Sequence, residues 1–194
     1  MNDKYIFNKK DYNSGDGMMT SIWGPPLWHV LHTISFNYPI KPSNEQKKDY
    51  FNFYNNLKNI LPCKYCRDNL NDNLLKLPLN MTVFKNRNNL SKYVYKLHEN
   101  INNMLGKKSG LSYNDVRDRY EHFRSRCLNT KIDKTMALDT IEKGCTEPLY
   151  GVKSKCVLNI VPKNSKKKSF KMDDQCKIIK KSPVKKSSKK SSKK

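Results

Sequence analysis

Two cysteines three positions apart, Cys63 and Cys66, stand directly after Pro62 in "CKYCRDNL". That spacing serves three ends: a disulfide that exchanges with other thiols, half of a zinc site, or two thiols lodged in a core. A helix opening behind Pro62 turns its backbone N–H groups and dipole toward Cys63 and favours a thiolate there. Lys64 and Arg67 add positive charge, and an accessible thiolate is what thiol–disulfide exchange requires. Zinc would need two further ligands at sensible spacing. No second CxxC is present, and Cys145 and Cys156 have ten residues between them in a different segment, so a zinc site would have to gather scattered cysteines.

The histidines add a second pattern. Trp28 and His32 are spaced i, i+4, and His98 and Asn102 repeat that spacing, with Tyr95 three residues before His98. The ordinary fate of a helix histidine is partial burial with its hydrogen bonds satisfied. The sharper alternative is a pocket. Two aromatic–polar faces converging with a CxxC helix would suit a flat polar cofactor whose ring stacks on tryptophan and whose edges need donors.

The elements that must position these residues read as helices. Ser21 opens the first, and Leu27, Val30, Leu31 and Ile34 follow a single apolar stripe until Pro39 and Pro42. Ser43 and Gln46 form a capping-box pattern for the second, lined by Tyr50, Phe53, Tyr54, Leu57 and Leu61. A shorter helix is predicted from Cys63 to Leu75, and residues 76–86 are a connection. A fourth carries Val94, Leu97, Ile101 and Met104 and stops near Gly106, and a fifth runs through Val116, Tyr120 and Phe123. The fold class is therefore all-α, a four- to five-helix bundle over residues 21–128. Residues 1–20 read as flexible. Residues 129–162 hold Gly and Pro turn signals and a β-prone run at Val157 to Val161, which predicts a small hairpin or ordered extension.

Residues 163–194 are a Lys- and Ser-rich tail that cannot bury apolar area and is expected to be disordered. The chain has 39 Lys and Arg against 17 acidic residues, a net +22. Fourteen lysines against Asp173 and Asp174 put +12 of that charge in the tail. The tail is either a solvated polycation or a salt-sensitive, non-specific contact to nucleic acid or another anion; its one aromatic residue, Phe170, makes no interleaved series to stack on bases. No apolar run reaches the ~20 residues of a membrane span, and the first residues lack an apolar core of signal-peptide length. A cytosolic setting is expected, in which cysteines are thiols, metal ligands or catalytic disulfides rather than staples.

The stretches "WGPPLWHVLHTISFNYP", "CKYCRDNL" and "HENINNMLGK", in that order, resemble the Erv/ALR family of FAD-linked sulfhydryl oxidases over residues 21–128. The runs "LSYNDVRDRYEHFRSRC" and "CTEPLYGVKSKC" look most like the versions encoded by large cytoplasmic DNA viruses. The resemblance implies FAD as cofactor and places Trp28, His32 and Tyr38 among its contacts. It assigns the redox pair to Cys63 and Cys66, with Cys66 beside the isoalloxazine. The family's His-Asn-x-Val-Asn motif falls on residues 98–102, where His98 and Asn102 match and Glu99 departs. Leu105, Gly106 and Lys107 match its "LGK", which brings Lys107 toward the cofactor's phosphates, and Tyr120 stands where an aromatic ring stacks on adenine.

The implied chemistry is a two-electron relay from a dithiol substrate through Cys63 and Cys66 to FAD and then to dioxygen, giving hydrogen peroxide. A structural disulfide of the family would use Cys127, but its partner falls near Ser112, so that staple is absent or replaced. Cys145 and Cys156 bracket a loop and read as a local structural disulfide rather than a shuttle, and Cys176 is left unassigned. The resemblance also implies a homodimer paired through first helices. In a viral setting it implies disulfide formation in virion proteins, in the host cytoplasm or in the virion itself. Two other classes compete: a zinc-stabilised helical binding module with a basic nucleic-acid-binding tail, and a purely structural helical protein.

Overall fold

The computed structural model describes residues 9–15 and 17–126, with residues 145, 147–149, 156–158, 166 and 170–172 beyond them. A single turn, α1 (Lys9–Tyr12), precedes five helices: α2 (Thr20–Asn37), α3 (Asn44–Ile60), α4 (Lys64–Lys76), α5 (Arg87–Met104) and α6 (Tyr113–Glu121). A 3-10 turn at Val83–Lys85 leads into α5. The all-α bundle expected from periodicity is what forms.

Each helix begins and ends for a local reason. Tyr38 and Leu61 close α2 and α3 in extended backbone, ψ 143° and 135°, because each precedes a proline that excludes the helical region. The Ser43 hydroxyl accepts from the Gln46 N–H at 3.1 Å while the Gln46 side chain accepts from the Ser43 N–H at 2.9 Å, the reciprocal cap that starts α3. Ser112 and Asp115 repeat that device at α6. Asn86 caps α5, and Gly106, at φ +66°, follows its last turn in a conformation few side-chain-bearing residues adopt. Pro25 and Pro26 lie inside α2 and donate no N–H, so the carbonyls of Ser21 and Ile22 lack helical partners and its first turn is weakly bound to the rest.

The core sits where α2 packs against α5 and where α3 packs against α4 and the 3-10 turn. Tyr38, Phe84, Leu90 and Val94 are fully buried at its centre, joined by Leu31, Tyr54, Leu57, Leu70 and Leu97. Its tyrosines bury rings and spend hydroxyls on backbone carbonyls: Tyr38 donates to Phe84 O at 2.9 Å and Tyr54 to Leu31 O at 2.8 Å. Burial drives the Tyr54 phenol far above its ordinary range, so it stays a donor. Val30, placed on the buried stripe by periodicity, is 46% exposed; the inward face of α2 instead runs through Leu31, His32, Ser35 and Phe36.

Two two-stranded ribbons lie beyond the bundle: β1 (Ser125–Arg126) with β2 (Glu147–Pro148), and β3 (Cys156–Leu158) with β4 (Phe170–Met172). The second ribbon overlaps the β-prone run of the sequence. Cys127 and Cys176 lie outside the described residues, as does most of the tail. Cys145 is disulfide-bonded, and its expected pairing with Cys156 involves a side chain outside the described residues. Among the described residues, no helix is long and apolar enough to cross a membrane.

Candidate functional site

Cys63 is the N-cap of α4, in extended backbone, with its Sγ accepting the Cys66 N–H at 3.2 Å. A sulfur here faces the orphan amides of the first turn, which stabilise negative charge. Arg67 is fixed nearby, its Nη1 donating to Leu61 O at 2.6 Å. Cys63 and Cys66 are joined in a disulfide. Both are half-buried, but they differ in setting: Cys66 packs against the apolar core, and Cys63 stands at the helix end.

A segment that periodicity does not reveal lies along this pair. Gly17 bridges Cys63 in antiparallel fashion, and the Met18 N–H donates to Pro62 O at 2.5 Å. Gly17 has φ +98°, and a Cβ there would sit 2.8 Å from the Cys63 Cα, so only glycine fits. The start read as flexible therefore includes residues paired to the CxxC.

Farther along α2, an aromatic and histidine cluster spans three helices. The Trp28 indole stacks on His98 of α5, centroids 4.0 Å apart and 5° from parallel. His32 Nε2 and His98 Nδ1 share a hydrogen bond of 3.0 Å. Tyr120 of α6 stacks on His32 at 5.2 Å and on Phe36 at 5.2 Å, and its hydroxyl lies 3.2 Å from His29 Nδ1. Burial lowers the His32 pKa to about 3, with the neighbouring His98 and His29 adding to the effect. Burial likewise lowers His98 to about 4, against an opposite pull from Glu99. Both imidazoles are neutral at pH 7, so one donates and the other accepts. Burial raises the Tyr120 phenol.

Among the described residues, two buried polar atoms have no hydrogen-bond partner: His32 Nδ1 in the cluster, and Nε of Arg119, the residue before Tyr120 in α6. Buried polar groups are nearly always paired, so each of these two is open to a partner beyond the described residues, a bound group included. Arg124, just past α6, binds both oxygens of Glu121 and donates from Nη2 to Phe36 O at 2.8 Å, tying the end of α6 onto α2.

Trp28, His32, His98 and Tyr120 thus come together in one cluster. Asn102 lies one turn beyond His98, its amide donating to Glu99 Oε1 at 3.0 Å and its carbonyl accepting the Lys107 N–H at 2.8 Å. Lys107 is exposed and close enough to depress His98. Tyr38 is instead wholly buried among Tyr50 and Phe84. His29 and Phe36 complete the cluster without having been read from the sequence, and Arg119 stands next to Tyr120 on α6. His29 and Phe36 had a signal, at i−3 and i+4 from His32 on one helix. Two surface recesses, of about 340 and 400 Å³, are lined chiefly by Asn, Asp and Lys side chains and by none of the candidate residues. Among the described residues no group of three or more His, Cys, Asp or Glu side chains is placed to hold a metal ion, and the zinc-module alternative finds no support here.

These features define a helical-bundle protein with a CxxC disulfide at a helix N-terminus and a histidine–aromatic cluster on adjoining helices. A model of the Erv1 / Alr family matches residues 25–121, half of the chain, and the chain belongs to that family. A probable FAD-linked sulfhydryl oxidase of Acanthamoeba polyphaga mimivirus is 40% identical over 86 residues, which are 44% of this chain and 60% of that relative. An FAD-linked sulfhydryl oxidase of African swine fever virus is 29% identical over 99 residues, 51% of this chain and 80% of the relative. Among solved structures, the FAD-binding domain of Erv1 from Saccharomyces cerevisiae is similar over 53% of this chain and 94% of its own length, at 23% identity and a TM-score of 0.48.

Proposed function

We propose that the chain is an FAD-linked sulfhydryl oxidase that forms disulfides in protein substrates. The observation that carries this reading is the Cys63–Cys66 disulfide at the start of α4, on the bundle whose α2, α5 and α6 gather Trp28, His32, His98 and Tyr120. The residues fit a flat group with polar edges and an anionic arm. Trp28 and Tyr120 offer ring faces, His32 Nδ1 and Arg119 Nε are buried and without a partner among the described residues, and Asn102 and Lys107 stand at the end of α5. Trp28 and His98 lie in van der Waals contact, so a ring entering between them has to part them. FAD, when bound, supplies the two-electron acceptor that returns the cysteine pair to its disulfide, with dioxygen as terminal oxidant and hydrogen peroxide as product.

The chain's own part is thiol–disulfide exchange. A substrate thiolate attacks Cys63 Sγ, and the Cys63–Cys66 bond breaks with its electron pair left on Cys66. A second substrate thiolate then displaces Cys63, completing the substrate's disulfide. The packing of Cys66 against the core supports its role as the inner sulfur. The viral relatives support a setting in which virion proteins receive disulfides within a reducing host cytoplasm.

The test is direct. The purified chain should be yellow and should consume oxygen when given dithiothreitol. Cys63→Ser and Cys66→Ser should each abolish turnover while the flavin stays bound. A colourless protein, or dithiol oxidation that survives either substitution, overturns the assignment.

A further inference from the structure

The segment before α2 belongs to the redox centre. Thr20 Oγ1 lies 3.4 Å from Cys66 Sγ, across 46 positions of sequence. A disulfide sulfur carries no proton, so the Thr20 hydroxyl is the donor in this contact. The geometry points to Thr20 as a positioning residue for thiol exchange: its hydroxyl stabilises the thiolate that Cys66 becomes when the disulfide opens. The inference rests on the oxidase reading and adds a residue to it.

The electron bookkeeping of the step is simple. A substrate thiolate forms a bond to Cys63 Sγ while the Cys63–Cys66 bond breaks, and that bond's electron pair remains on Cys66. The substrate sulfur is oxidised to the level of a mixed disulfide, and Cys66 is reduced to a thiolate. No proton is required if a donor already points at the sulfur. A hydrogen bond to a charged sulfur is stronger than one to a neutral disulfide, so Thr20 favours the opened state over the closed one.

The placement of Thr20 is not left to a free chain end. Both backbone polar groups of Met18 are engaged, its N–H with Pro62 O at 2.5 Å and its carbonyl with Trp23 Nε1 at 3.0 Å. One residue earlier Gly17 pairs with Cys63, in a conformation and at a clearance that only glycine meets. Two points of attachment to residues 62 and 63 hold the chain so that the first residue of α2 reaches residue 66. That accounts for an exposed threonine touching a sulfur that packs on the core. The charged side chains of the same stretch, Lys64 and Arg67, belong to α4 and do not depend on Thr20.

The measurement is the pKa of Cys66 in the full-length chain carrying Cys63→Ala, which leaves Cys66 unpaired as it is in the mixed disulfide. Iodoacetamide alkylation of the Cys66 peptide, followed by mass spectrometry across pH, reads it without interference from other thiols. Thr20→Val should raise that pKa by about one unit, and Thr20→Ser, which keeps the hydroxyl, should return it toward the parent value. Gly17→Ala, which keeps the threonine but pushes its segment off Cys63 and so draws the hydroxyl away from Cys66, should raise it as well and carries the test if Thr20→Val does not fold. An unchanged pKa in Thr20→Val, or an equal rise in Thr20→Ser, overturns the inference. Because alkylation reads the sulfur whether or not the chain oxidises thiols, a colourless and inactive protein would count against the oxidase reading alone.

Discussion

The Trp28 indole and the His98 imidazole lie face to face, 4.0 Å apart, and through them α2 and α5 meet at the polar end of their interface. The same imidazole hydrogen-bonds His32 on its Nδ1 side, so one ring is fixed by a stack and by an edge. His98 is held from two directions by residues four apart on one helix.

That arrangement gives Trp28 two roles, in packing and in the proposed cofactor site. Trp28→Ala removes an aromatic pair of about 0.5–1.5 kcal/mol beyond its area burial and leaves His98 free to turn. Flavin affinity should fall at least tenfold, read by flavin fluorescence on titration into stripped protein. Trp28→Phe keeps a ring face and should retain most of the affinity. Equal binding by the alanine variant would remove Trp28 from the site.

The histidine pair makes stability depend on pH. Both folded-state values, about 3 for His32 and about 4 for His98, lie below the ordinary 6.5. Between those values and 6.5 the unfolded chain binds more protons than the folded one, so stability is complete above pH 6.5 and is lost as pH falls. At pH 5 His32 alone accounts for about 2 kcal/mol, the 1.5 units below 6.5 at roughly 1.4 kcal/mol each. His98 is less buried and shares a hydrogen bond with His32, so its share does not simply add. Thermal melts from pH 7.5 to 4.5 should show a falling Tm that His32→Gln flattens.

Tyr38 separates two readings of one residue. Its hydroxyl is committed to Phe84 O in the core, and its backbone carbonyl accepts from Arg87 Nε at 2.6 Å. Tyr38→Phe should therefore cost about 1–2 kcal/mol by leaving a buried carbonyl unpaired, with flavin affinity unchanged. If the phenol touched cofactor, titration would instead show weaker binding at little cost in stability.

These cases show why some of the molecule was legible in the sequence and some was not. Helices announce themselves through caps and prolines close in the chain, so Ser43 with Gln46 and the prolines at 39 and 62 mark their ends where they occur. The i, i+4 pairs on α2 and α5 place Trp28, His32 and His98 on facing stripes, because a helix face follows from spacing alone. Tyr120 followed from the family likeness. Arg119 carries no such mark, since its unpartnered Nε is a property of packing. Gly17 and Thr20 are the deeper case. Their partners are Cys63 and Cys66, and a pairing between an irregular segment and a helix N-terminus leaves no period to read.

The Lys-rich tail calls for an experiment of its own. It holds +12 of the chain's +22 and contains a single aromatic residue, Phe170, so any grip on nucleic acid would come chiefly from phosphate contacts. Such contacts release counterions, and each phosphate neutralised steepens the fall of log affinity with log salt by about 0.9 on a duplex. The full chain should bind an arbitrary DNA duplex at low salt and release it steeply as salt rises. A chain ending at Pro162 should lose that binding while its thiol oxidation is unaffected, because the redox pair and the histidine cluster lie within residues 17–124. Fluorescence anisotropy at several salt concentrations measures both slopes; equal binding by the shortened chain would place the anion contact on the bundle instead.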